Sequence, residues 1–371
     1  MRELILIANA YVPNTAQTNR LLALAKGIIE NGVSLRLVFV HPGDNFEKLS
    51  TNLNLKVEYL WDKHRTNNKV LSRLYGFWDI FRFTHSLKPD SKVFLYGAGQ
   101  FLPILIKSKA QIYHERTEHP SVVKIIPHFM QKKYLASCSK LSGMFVISTA
   151  LKQYFESIGV RNVNIINMVV DETRFVNLKE GEGGNDYIIY CGKATNNKDG
   201  VNDLIRAFAI VASEHKDIEL KIVGKAPNRQ DGYENLRLVE KLGLKNRVDF
   251  MGIKPSSEVP QLLKNARACV LDRPDSLQAQ CGFPTKLGEY LLSGRPVIIT
   301  KVGDIPLFLS HRQNALLANE RDAEDFATQI SWVLDNPKDA ALIGERGKAL
   351  AENEFNYLNE SQKIVKVIFN E

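Results

Sequence analysis

Three groups of residues have the types and spacing to do chemistry. The first is Cys281-Gly282-Phe283-Pro284-Thr285-Lys286-Leu287-Gly288-Glu289. Pro284 and Thr285 read as the start of a helix running to Leu292, with Thr285 as N-cap. Ser293-Gly294-Arg295-Pro296 then stops it before an apolar strand, Val297–Thr300. A helix start presents free N–H groups and partial positive charge, which suits an anion. Thr285 adds a hydroxyl there and Lys286 an ammonium, while Glu289 follows one turn later on the same face. A phosphate at the helix start and a hydroxyl-bearing sugar beside Glu289 fit that geometry. The same residues also read as a capped helix feeding a core strand, with Glu289 in a salt bridge.

The second group is the loop Gly192–Gly200, with Lys193 and Lys198, directly after an apolar strand, Tyr187–Cys191. It lacks P-loop spacing, but a glycine and cations after a strand suit a diphosphate. The third is His114-Glu115-Arg116-Thr117-Glu118-His119, after a strand read as Gln111–Tyr113. Parallel sheets place ligands at the C-terminal ends of their strands. Acid/base or hydroxyl-binding roles are open to these side chains. Their spacing matches no standard metal-ligand set, and a solvated polar loop is the plainer reading.

The elements that must position these groups alternate between strand and helix. Strands are expected at Leu4–Ala8, Val33–Val40, Leu55–Leu60, Val93–Tyr96, Met144–Ile147 and Val163–Ile166. After a polar, glycine-rich stretch (177–186) the rhythm restarts with Glu219–Val223, Val248–Met251 and Ala268–Leu271. Helices are expected at 17–31, 69–87, 201–215, 233–242, 257–266, 321–335, 337–350 and 355–369. This predicts an α/β chain of two tandem, Rossmann-like, doubly wound domains facing a cleft. The domains are read as 1–176 and 177–354, with 355–371 packing back on the first. No GxGxxG follows the first strand, so a dinucleotide fingerprint is absent.

A length of 371 residues suits two cores. The net charge of +8 favours anionic partners without choosing among nucleotides, nucleic acids and membrane faces. No aromatic-basic RNA motif is present, so nucleic acid is not expected. The four scattered cysteines suit reduced thiols, and no apolar run approaches membrane-spanning length; a cytoplasmic chain is expected. Val70, Leu74, Phe77, Trp78 and Phe81 share one face of the 69–87 helix, a stripe expected to be core. With Trp and flanking bases that stripe, and the similarly basic Lys124–Lys140, also suit peripheral contact at the inner face of the cytoplasmic membrane.

From Tyr187 to Leu334 the chain resembles glycosyltransferase family 4, the retaining, nucleotide-sugar-dependent transferases of GT-B fold. The resemblance rests on Gly192, Lys193, Lys198 and Gly200; on Ile222–Gly224; on Arg247–Gly252; and on Gly282–Val297. Asn167–Phe175 resembles the family's segment before the second domain, and the last helix the one that returns to the first. The resemblance implies that Gly192, Lys193, Lys198, Thr285 and Lys286 hold the donor diphosphate and Glu289 the ribose hydroxyls. It implies His114 near the donor sugar, and with it His114, Glu289 and Lys198 as the catalytic set. The family's first glutamate falls eight residues before Glu289, where this chain has Cys281. The Asp272–Gln280 loop, with Arg273 and Gln280, is the expected substitute. Asn14, Thr15, Glu115, Arg116 and Glu118 are the acceptor-side candidates, since Asn14, Thr15 and Thr18 replace the family's glycine pair.

The implied function is transfer of a sugar from a nucleotide-diphosphate sugar to a glycan or lipid-linked saccharide, in surface polysaccharide synthesis. No cofactor and no metal are expected, because cations and helix amides offset the leaving diphosphate. A GT-B nucleotide-sugar epimerase and a non-catalytic binder of anionic ligands are the alternative readings.

Overall fold

The computed structural model describes residues 2–13, 15–41, 54–63, 68–122, 128–179, 186–225 and 229–371. Asn14, residues 180–185 of the polar stretch and 124–127 of the Lys124–Lys140 stretch lie outside them. Contacts divide the chain into two compact units: residues up to Val169 together with Tyr357–Glu371, and Val170–Asn356.

The first unit is built on a parallel sheet of β1 (Glu3–Ala8), β2 (Ser34–Phe39), β3 (Leu55–Tyr59), β4 (Lys92–Tyr96), β5 (Gln111–Arg116), β6 (Gly143–Val146) and β7 (Val163–Ile165). Their spatial order is β3-β2-β1-β4-β5-β6-β7. The inner strands β1, β4 and β6 are near-continuous apolar runs, as expected where helices cover both faces. The final helix, Tyr357–Phe369, lies along Ala16–Glu30. Gly27 permits that approach: a Cβ there would fall 2.4 Å from Ser361 Oγ and 2.7 Å from the Tyr357 carbonyl oxygen. The buried Glu360 fastens the same helix by accepting from the Asn167 N–H at 2.8 Å.

The second unit holds β8 (Tyr187–Cys191), β9 (Glu219–Val223), β10 (Val248–Gly252), β11 (Ala268–Leu271), β12 (Val297–Thr300) and β13 (Leu316–Ala318). All are parallel, in the order β10-β9-β8-β11-β12-β13. The strand order reverses between β8 and β11. Ligands of open parallel sheets sit at such a reversal, beyond the carboxyl ends of the strands. Those ends lead into Gly192 and Asp272.

Several features differ from the sequence expectation. Strand β13 was not expected: three residues, Leu316-Leu317-Ala318, are too few to display a period. Strand β5 extends to Arg116, so half of the polar run after Tyr113 lies inside the sheet. Val170–Phe175 belongs with the second unit, where Arg174 is tied to Glu289 and Ser256. Another is the helix Lys69–Ser86, which turns Val70, Leu74, Trp78 and Phe81 to the solvent rather than the core. Ile80, Phe83 and Thr84 face inward instead, and Gly76 lies against the His41 ring.

Candidate functional site

Gly192 ends β8, and the chain then crosses to a short helix, Asn196–Asp199, before Gly200 begins the helix Val201–Glu214. Gly200 has φ +57°, and a Cβ there would sit 2.0 Å from the Asp272 carbonyl oxygen. Only glycine meets both demands. The ends of β8 and β11 are thereby held against each other. The helix Thr285–Leu292 is anchored beside them by Tyr290. Its hydroxyl accepts from the Cys191 N–H (2.6 Å) and donates to the Cys191 carbonyl oxygen (3.2 Å).

This brings the two sequence-predicted phosphate groups together. Lys286 Nζ donates to Asp199 Oδ2 at 2.6 Å and to the Tyr190 hydroxyl at 2.9 Å. That hydroxyl also lies 2.8 Å from Asp199 Oδ2 and 2.7 Å from the Lys193 carbonyl oxygen. Gly192 leaves room for the ammonium, since a Cβ there would fall 2.3 Å from Lys286 Nζ. Burial alone would raise the Asp199 pKa, but Lys286, Tyr190 and Arg273 outweigh it and hold the carboxylate below its usual range. Burial lowers the Lys286 pKa in spite of Asp199, with Lys198 and Arg273 adding to the effect. Lys198 and Arg273 thus lie close enough to Lys286 to act on it, and Arg273 acts on Asp199 as well. Lys193 is exposed and Lys198 half-buried.

Several predicted residues sit differently from expectation. Thr285 is the first helical residue and Pro284 the N-cap, with no side-chain cap bond, so the Thr285 hydroxyl does not cap. Glu289 is ion-paired with Arg174 Nη1. The Arg174 Nη2 group donates to the Ser256 carbonyl oxygen at 2.8 Å and to its hydroxyl at 2.9 Å. Arg174 was missed; it lies 115 positions from Glu289, beyond any local pattern. Arg273 is buried, not in an open loop, and Thr300 Oγ1 clamps its backbone through the N–H (2.9 Å) and carbonyl (2.7 Å). Gln280 donates to Asp275 Oδ1 at 2.7 Å. Cys281 is buried at the end of an unexpected short helix, Leu277–Cys281, its thiol pKa raised by burial and by Asp304. Asp272 was missed as a perturbed group: burial, helped by the Asp203 carboxylate, pushes it up to about 8.

In the first unit the pleat of β5 separates residues that the sequence placed together, since successive side chains leave opposite faces of a strand. Glu115 forms a buried ion pair with Arg20, Oε1 to Nη2 at 2.8 Å. His114, on the other face, is 0% exposed. Its Nδ1 lies 2.9 Å from the Leu95 carbonyl oxygen and its Nε2 3.1 Å from the Tyr134 hydroxyl. Burial lowers its pKa to about 4, so it is neutral at pH 7. Arg116 donates to the Glu118 carbonyl oxygen at 2.8 Å. Thr15 caps the helix Ala16–Glu30, accepting from the Thr18 N–H at 3.2 Å. Thus His114, Glu115 and Thr15 each make polar contacts within the first unit. Among the described residues no group of His, Cys, Asp and Glu side chains is placed to hold a metal ion.

Residues 185–336 match the family model described as Glycosyl transferases group 1. Over the full length of both chains, the chain superposes on Anabaena Alr3699/HepE in complex with UDP, with TM-score 0.76 and 18% identity. The chain has the GT-B fold. The same Anabaena protein in complex with UDP-glucose gives TM-score 0.73 at 17% identity, again over 100% of both chains. An uncharacterized glycosyltransferase of Methanocaldococcus jannaschii is 24% identical over 254 residues, 67% of this chain and 66% of its own length. The N-acetyl-alpha-D-glucosaminyl L-malate synthase of Bacillus anthracis is 30% identical over 165 residues, 44% of this chain and 39% of its own. A putative colanic acid biosynthesis glycosyltransferase of Escherichia coli is 26% identical over 198 residues, 52% of this chain and 48% of its own. Each of these last three matches spans less than two thirds of the relative's own length.

Proposed function

We propose that the protein is a retaining glycosyltransferase of family 4 type that moves a sugar from a nucleoside-diphosphate sugar to a saccharide acceptor. The observation that carries this reading is the convergence of Lys198, Lys286 and Arg273 around Asp199, at the start of the Thr285–Leu292 helix and the glycine-lined end of β8. Helix amides, ammonium groups and a close glycine backbone are the chemistry a diphosphate requires. The UDP and UDP-glucose complexes of the structural neighbour support a uridine donor.

In this proposal the donor diphosphate competes with Asp199 for Lys286. Glu289 takes the ribose hydroxyls, exchanging its bond to Arg174 for them. As the donor C1–O bond breaks, negative charge grows on the diphosphate, where Lys198, Lys286 and the helix amides offset it. The acceptor hydroxyl oxygen bonds to C1 on the face the phosphate leaves and passes its proton to that phosphate; attack on that face gives retention. No metal is required, because these cations supply the charge that a divalent ion would. The acceptor is a glycan or lipid-linked saccharide in polysaccharide assembly, supported by the colanic acid relative.

A thermal-shift panel of UDP, GDP, ADP, CMP and dTDP, with magnesium or EDTA, tests the reading. A ligand at a hundred times its Kd adds about 2.7 kcal/mol. UDP is expected to raise the melting temperature equally in magnesium and EDTA, and to lose that effect in Glu289→Ala. No shift with any diphosphate, in either medium, would refute it.

A further inference from the structure

Seventeen large hydrophobic residues are exposed among those described, and six of them, Val70, Leu71, Leu74, Tyr75, Trp78 and Phe81, lie on the single helix Lys69–Ser86. Exposure reaches 66% at Val70, 60% at Leu74, 55% at Trp78 and 43% at Phe81. At 3.6 residues per turn these six project within one arc of about 140°. Trp78 and Phe81 stack at 5.9 Å between ring centroids, and the His85 ring lies 4.4 Å from that of Phe81. Soluble surfaces seldom expose so continuous an apolar stripe without using it.

The charges around the stripe have one sign. Arg82 and His85 fall within the arc, and Arg73 is exposed beside it. The helix has one acidic residue, Asp79, which lies about 40° outside the arc and is buried. Pairing two copies of this helix about a two-fold axis would set cations against cations, with no acid on the stripe to offset them. An anionic bilayer offers the complement: an acyl boundary for Leu74, Trp78 and Phe81, a headgroup layer suited to Trp and Tyr, and phosphates for the arginines. No helix among the described residues is long and apolar enough to cross a membrane, so any lipid contact here lies on the surface.

We infer that the Lys69–Ser86 helix is a docking surface for an anionic lipid bilayer, lying in the plane of the interface with Trp78 and Phe81 inserted. The inference goes beyond the donor chemistry and does not depend on it, because none of these residues belongs to the nucleotide site.

The full chain would be co-sedimented with vesicles of phosphatidylcholine alone and of equal phosphatidylcholine and phosphatidylglycerol, at low and high salt. Binding to the anionic vesicles is expected to exceed that to the neutral ones by about tenfold or more, and to weaken with salt. Leu74→Ser/Trp78→Ser is expected to lose about tenfold or more of that binding, and Arg73→Glu/Arg82→Glu to lose its salt dependence with it. All four positions face solvent, so the urea midpoint and the UDP thermal shift of both variants should match wild type; this separates failure here from failure of the donor reading. The emission of Trp78 should shift to the blue on anionic vesicles, and Trp78→Phe should keep pelleting while losing the shift. The inference is overturned if wild type does not pellet with anionic vesicles at low salt, or if Leu74→Ser/Trp78→Ser pellets as wild type does. It is equally overturned by a solution dimer, without vesicle binding, that the same variant dissociates; that result would assign the stripe to a second copy.

Discussion

Asp199→Asn isolates the electrostatics of the candidate phosphate site. The Asp199 and Lys286 side chains are 4% and 16% exposed, and the contact is 2.6 Å. An asparagine fills the same space but carries no charge. The variant therefore leaves a buried ammonium facing Lys198 and Arg273 with no counter-charge. Breaking a buried pair from one side costs about 3–5 kcal/mol. Because burial already lowers the Lys286 pKa, the lysine can shed its proton and relieve part of this, so the lower end is expected. Urea unfolding at pH 7 measures the loss. The acid limb carries a second signature. The folded-state pKa of Asp199 is depressed, so its stabilisation is present above the unfolded carboxylate value of about 3.9 and disappears as pH falls through the folded value. That component should be absent from Asp199→Asn. Adding Lys286→Met removes the stranded charge, and the double variant should recover at least half of the loss. A single-variant loss under about 1 kcal/mol, or strictly additive losses in the cycle, would refute the claim that this is a coupled, desolvated pair.

Two further outcomes follow from the geometry. Gly200→Ala combines a left-handed φ of +57° with a Cβ placed 2.0 Å from the Asp272 carbonyl oxygen; it should lower stability by about 2 kcal/mol or more and weaken the UDP thermal shift, whereas wild-type values in both assays would refute the close-approach argument. His114, neutral in the fold with its pKa lowered to about 4, should make stability fall by about 3 kcal/mol as pH drops from about 6.5 to 4, because only the unfolded chain takes up the proton there. His114→Gln should flatten that segment in urea titrations across this range, and an unchanged slope would show that other groups carry it.

Much of the architecture was legible because strand and helix periods are local properties of the chain. Twelve of the thirteen strands among the described residues were readable in the sequence, and the helix start at Pro284-Thr285 stood within one residue of its place. The residues of the candidate phosphate site were legible as types: a glycine and lysines after a strand, and a hydroxyl and a lysine at a helix start. What only the tertiary structure decided is which of them meet. Lys286 is held by Asp199, 87 positions away, and Glu289 by Arg174, 115 positions away. No period links such distances; the sheet order that brings β8 beside β11 does. His114 looked solvated because its neighbours are polar, yet β5 runs on through it and the pleat buries it. The Lys69–Ser86 helix carries apolar residues on nearly every side, so its sequence was compatible with more than one inward face. Gly76 packs against His41 and Phe77 against Phe101, on the same side as the buried Ile80 and Phe83, which leaves the Trp78 stripe facing outward.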